Sequence, residues 1–140
     1  MILLVHLLFG ALIGKEINNP VLAVILAFLG HYLLDLIPHT EYSVENIKNK
    51  QWKKSLPDFI KVFLDILCGL PLIFIFSPNN PIIYVCAFFA ILPDGLSLLK
   101  RNDFHSKKIH FLKDNKKISK FWRVFSQVAV VLLCLCFLAL

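Results

Sequence analysis

The chain has 140 residues, of which 58% are hydrophobic, with a mean hydropathy of +0.73 and a formal net charge of +6. One small water-soluble core cannot bury that much apolar surface, so the composition excludes an ordinary soluble domain and predicts an integral membrane protein. The basic segments carry no nucleic-acid-binding motif, so the positive balance points to membrane lipids with anionic headgroups and not to nucleic acid.

In chain order, the first apolar run is Ile2 to Gly14. It is short against the roughly 17 to 25 residues of a membrane span. It lacks a basic leader and a small-x-small cleavage site and it carries His6, so it is expected to remain in the mature protein and not to be a signal peptide. Asn18-Asn19-Pro20 is turn chemistry, with Pro suited to open the next helix. The second run is Val21 to Ile37, followed by a basic segment at about residues 40–57. The third is Phe59 to Phe76, closed by the turn Ser77-Pro78-Asn79-Asn80-Pro81. Ile82 to Leu99 forms the fourth, a second basic segment covers about 100–120, and Phe121 to Leu140 completes the series. The expected fold is all-α: one membrane domain over residues 1–140, a bundle of about five transmembrane helices with tight hairpin joints.

Charge placement orients that bundle. Lys15 is the single basic residue in the first joint, and the Ser77 to Pro81 joint has none. The other Lys and Arg fall within 38–61 or 100–123, which puts both basic segments and the N-terminus on the cytoplasmic side of the inner (plasma) membrane and the C-terminus outside. Cys68, Cys86, Cys134 and Cys136 all lie in apolar runs without metal-type pairing, and read as buried small hydrophobes.

Against this background the ionisable groups inside the runs stand out. At about 1.5 Å per helical residue, His31 lies about 10 Å and Asp35 about 5 Å in from Pro38; His6, Asp65 and Asp94 come to a similar depth on other helices. An ionised carboxylate there costs about 2.5 kcal/mol or more unless it is paired. No intramembrane Lys or Arg stands at matching depth, and a metal ion is the economical partner. His31 and Asp35 are four residues apart and project from one helix face, while His39 extends the row only if the helix survives Pro38. Imidazole and carboxylate suit zinc best, or manganese or iron. His6, His31, Asp35, His39, Asp65, Asp94 and one later histidine suffice for one or two divalent ions. An unmetallated polar network, as in a proton relay, is the competing interpretation.

A faint repeat supports a paired arrangement. "HLLFG" at 6–10 answers "DILCG" at 65–69, and "NNPVLAVILAFLG" at 18–30 answers "NNPIIYVCAFFAI" at 79–91. Two pseudo-repeated hairpins plus a C-terminal helix would pair His6 with His31 and Asp35, and Asp65 with Asp94.

"VHLLFG", "ILPD" and "HSKKIH" occur in this order across residues 5–112. In order and spacing the chain resembles the small membrane-bound metal-dependent hydrolases of the YdjM-like group. That group shows Thr-His, then Leu-Pro-Asp-x-Asp-His, then His-Arg-Gly-x-Thr-His; here Val5 replaces the Thr, Gly95 to Ser97 lack the second Asp and the His, and Ser106 replaces the Arg. His31-x3-Asp35 also looks like an element of zinc-dependent phospholipases C and P1-type nucleases. The resemblance implies a metal-dependent hydrolase, and adds His105 and His110 to the ligand set. Asp35, Asp65 and Asp94 would serve catalysis, while Arg101, Lys107 and Lys108 would orient a substrate phosphate. A phosphoester of a lipid or amphiphile at the cytoplasmic face is the substrate class that fits this depth. The alternative is a metal-ion or proton transporter using the same His and Asp cluster. The apolar outer halves of the helices, "ALIG", "VLAVILAF" and "PLIFIF", speak against a through-path.

Overall fold

The structure, a computed structural model, describes residues 2–40, 44–48, 51–77, 80–99 and 119–140. Among the described residues all regular structure is helical. The elements are α1 (Leu3–Glu16), α2 (Pro20–Asp35), the one-turn α3 (Glu45–Lys48), a 3-10 turn (Trp52–Lys54), α4 (Leu56–Phe76), α5 (Pro81–Leu99) and α6 (Lys120–Ala139). The five long helices follow the five apolar runs. By length and composition α4 and α6 are able to cross a membrane, whereas α2 and the Pro81–Ser97 stretch of α5 are apolar but shorter.

Both Asn-Pro joints act as helix starts. Asn19 Oδ1 accepts from the backbone N–H groups of Val21 and Leu22 at 3.1 and 3.2 Å, and Asn80 Oδ1 accepts from Ile82 at 3.1 Å. Pro20 and Pro81 occupy the first helical position, where a missing N–H costs nothing. The other end of α2 is set by Pro38. Helical hydrogen bonding stops in a tight turn, Leu36 N to Leu33 O and Ile37 N to Leu34 O, so His39 lies beyond the helix.

Although α1 is the shortest of the long helices, it occupies the centre and packs against α2, α4, α5 and α6. It is apolar on every side and buries Val5, His6, Leu7, Leu8, Gly10, Ala11 and Gly14. Close approach to α5 depends on Gly10 and Gly14. A Cβ on Gly10 would sit 2.6 Å from both the Ala90 Cβ and the Cys86 carbonyl oxygen, and one on Gly14 would sit 2.8 Å from the Ile83 Cα. Ala23 and Ala27 of α2 pack on Cys86 and Ala90 of the same helix, so small residues bring three backbones together.

Each end of α1 is tied to another helix. At its start, Leu3 N donates to Asp65 Oδ2 of α4 at 2.8 Å. At its finish, Lys15 Nζ donates to the terminal carbonyls of α6, Phe137 at 3.1 Å and Leu138 at 2.9 Å, where a cation also complements the helix dipole. The sequence joint's lone lysine is thus a cap for the last helix.

The outer faces of α4 and α6 are apolar and exposed. Phe63, Leu67 and Phe74 on α4, and Val128, Leu132 and Phe137 on α6, all face outward. Cys68 and Cys136 lie on these outward faces, which corrects the expectation that all four cysteines are buried; Cys86 and Cys134 are interior.

Candidate metal centre

His6, His31, Asp35 and Asp94 meet where α1, α2 and α5 converge. His6 and His31 are fully buried, and their rings stack with centroids 4.2 Å apart. Asp35 spans the two imidazoles: Oδ1 lies 3.4 Å from His6 Nε2 and Oδ2 lies 3.4 Å from His31 Nε2. Asp94 Oδ1 approaches the same His31 Nε2 at 3.7 Å from α5. Past the end of α2, His39 turns back so that its Nε2 is 3.9 Å from Asp35 Oδ1.

The second nitrogen of each α2-side histidine fixes what the first can do. His31 Nδ1 lies 2.9 Å from the Ala90 carbonyl oxygen, and His39 Nδ1 lies 2.6 Å from that of Ile37. A carbonyl can only accept, so each Nδ1 carries the hydrogen and, in a neutral ring, each Nε2 presents its lone pair. His6 contributes a further anomaly: among the described residues neither of its buried ring nitrogens has a hydrogen-bond partner, the Asp35 oxygen beside Nε2 standing off at 3.4 Å.

These separations can be set against two arrangements. A charge-assisted N–H···O⁻ bond would draw nitrogen and oxygen to about 2.7–2.9 Å. Two ligands of one tetrahedral cation at about 2.0–2.1 Å from it stand about 3.4 Å apart. The 3.7 Å between His31 Nε2 and Asp94 Oδ1 lies nearer the second, and the two 3.4 Å contacts of Asp35 are likewise longer than a charge-assisted bond. His6, His31 and Asp94 each offer one ligand atom, all within 4.8 Å of one another, and so form a group able to hold a metal ion. Asp35 lies beside that group, one oxygen toward each histidine.

Asp65, expected to pair with Asp94 through the repeat, is drawn elsewhere. Its Oδ2 accepts from Leu3 N and, at 3.4 Å, from Leu4 N, while Asp94 turns to His31. His105, His110, Arg101, Lys107 and Lys108 lie outside the described residues. Asp58 is buried at the start of α4, accepting from Asn46 N at 3.0 Å and facing Lys61 at 3.5 Å; it fastens α3 to α4 away from the histidines. A polar residue to which the sequence assigns no role is Gln127, 3% exposed on α6, which bonds Thr40 next to His39. A lone Ser-Gln pair in the apolar run 121–140 was the available signal.

No family model, no curated protein and no solved structure matches the chain.

Proposed function

We propose that the chain is an integral membrane bundle holding one or two divalent transition-metal ions, zinc foremost, and that it hydrolyses a phosphoester of a lipid or amphiphile at the cytoplasmic face. One observation carries the metal reading. His31 Nε2, on the ring whose Nδ1 meets a carbonyl, faces Asp35 Oδ2 at 3.4 Å and Asp94 Oδ1 at 3.7 Å, an arrangement that is repulsive unless a proton or a metal ion stands between them. A metal there would neutralise phosphate charge and make a bound water more acidic. Asp35, with an oxygen toward each buried histidine and 11% of its side chain exposed, is the carboxylate placed to hold a proton from an attacking water.

Surface chemistry supports the membrane reading. Trp52 stacks with Phe59 at the start of α4, and Phe121, Trp122 and Phe125 cluster at the start of α6. Lys53, Lys54 and Lys120 are exposed beside them. Aromatic rings with basic neighbours suit the headgroup layer, and anionic lipid would concentrate there. The likeness to the YdjM-like hydrolases fits the same chemistry, on the motif residues already named.

The test is metal content and turnover. Protein purified without chelator should carry one or two transition-metal ions and release a phosphorylated headgroup or inorganic phosphate from at least one phospholipid of a vesicle panel, with loss on chelation. Protein that binds no metal would overturn the proposal. Metal-loaded protein inactive on the panel, yet moving metal or protons across liposomes, would replace the hydrolase with a transporter.

A further inference from the structure

The segment that follows α2 is held by a helix remote in sequence. Helical hydrogen bonding in α2 ends at Ile37, and Pro38 has no N–H to continue it. From α6, Ser126 Oγ donates to the Pro38 carbonyl. Gln127 uses both ends of its amide on Thr40: Nε2 donates to the Thr40 carbonyl at 2.7 Å, and Oε1 accepts from Thr40 Oγ1 at 2.7 Å. The residues on either side of His39 are therefore fixed to α6. His39 itself is 2% exposed, with its Nδ1 on the Ile37 carbonyl and its Nε2 toward Asp35.

We propose that Gln127 and Ser126 are positioning residues that hold His39 as a further ligand at the edge of the His6, His31 and Asp94 group, so that α6 closes the metal site. The inference rests on the metal reading above. A buried amide in an apolar helix must have both of its polar ends bonded or its burial is costly. Gln127 meets that requirement with both bonds to Thr40, which ties the conformation of the 38–40 strap, and with it the place of His39, to α6. Hydrogen bonding of His39 Nδ1 to a backbone carbonyl is the usual outer-sphere support of a metal-binding imidazole.

The experiment is a cobalt(II) titration of the full-length, detergent-solubilised chain, read by visible absorption and by competition affinity. His39→Ala and Gln127→Leu should each weaken cobalt binding by about tenfold and change the absorption band, the size usual for loss of ligand support. The double variant should be no weaker than His39→Ala alone, because Gln127 acts through His39. Thr40→Val should behave like Gln127→Leu, and Thr40→Ser, which keeps the hydroxyl, should restore binding; this pair also serves if Gln127→Leu fails to fold. Unchanged affinity and absorption in Gln127→Leu and Thr40→Val, or losses from Gln127→Leu and His39→Ala that multiply, would overturn the proposal. If cobalt binding is lost in His31→Ala but indifferent to His39→Ala, this inference fails and the metal reading stands. A wild-type chain that takes up no cobalt removes both.

Discussion

Asp65 Oδ2 receives the backbone N–H of Leu3 at 2.8 Å, so a carboxylate from the middle of α4 caps the first turn of α1. Three residues along, His6 enters the buried cluster. The helix dipole favours an anion at this position, and the bond fixes how far α1 reaches toward α2 and α5. The cap and the ligand role suggested by the sequence are separable. Asp65→Ala should destabilise the bundle by about 1–3 kcal/mol, the size of a lost cap bonded to a charged acceptor. Asp65→Asn keeps an acceptor and should unfold closer to wild type, with its metal content unchanged. Thermal unfolding in detergent and elemental analysis of the two variants decide this; loss of metal from a folded Asp65→Asn would restore Asp65 as a ligand.

Gly10 and Gly95 offer a matched pair. A Cβ on Gly10 would collide with the Ala90 Cβ and the Cys86 carbonyl at 2.6 Å, whereas one on Gly95 meets nothing within 4 Å. Gly10→Ala should force α1 and α5 apart, costing about 1–3 kcal/mol as overpacking does. It should also weaken metal binding, since His6 on α1 and Asp94 on α5 belong to the same group. Gly95→Ala, one residue from Asp94, should be neutral or stabilising by up to about 1 kcal/mol, because it adds helix propensity without contact. Unfolding midpoints and cobalt affinities of both variants test the claim. Equal behaviour of the two would mean that the α1–α5 approach does not set the site.

Much of the architecture was legible because its signals are local. The Asn-Pro joints announce α2 and α5 through capping and the fixed φ of proline, and the apolar runs give the helix limits. His31 and Asp35 share a face by spacing alone. What escaped depends on tertiary placement. The short first run gave no sign that it becomes the central helix, and nothing local announces that Asp65 accepts from the first turn of another helix. Gln127 lies 87 residues from Thr40, so its partner had no trace in its own neighbourhood. Cys68 and Cys136 share the composition of Cys86 and Cys134 but not their helix faces.

The membrane reading has a direct labelling test. In a background freed of Cys68, Cys86, Cys134 and Cys136, cysteines placed at Lys54 and Lys120 should react with an impermeant maleimide only from the cytoplasmic side. Cysteines at Asn18 and Asn80 should react only from the opposite side. The motivation is the basic residues at the starts of α4 and α6 and the uncharged turn before α5. Labelling of positions 54 and 80 from the same side would rule out an odd number of crossings between them and detach the histidine cluster from the cytoplasmic face.

The chemical prediction follows from the unequal settings of the two site carboxylates. Asp35 has 11% of its side chain exposed and an oxygen toward each of His6 and His31; Asp94 is 30% exposed and approaches His31 alone. If Asp94 is a ligand and Asp35 chiefly handles the proton, their neutral variants should diverge. Asp94→Asn and His31→Ala should lower bound metal, and activity should fall in proportion to metal lost, with added zinc giving partial recovery for Asp94→Asn. Asp35→Asn should retain more metal than Asp94→Asn and yet lose at least about a hundredfold in turnover, the lower range for removal of a general base. Added metal should not rescue it. Cys134→Ala, buried in α6 and outside the cluster, should leave both quantities unchanged. The measurements are elemental analysis and headgroup or phosphate release from vesicles on the same preparations. Asp35→Asn that turns over at the wild-type rate per bound metal would show that the proton is handled elsewhere.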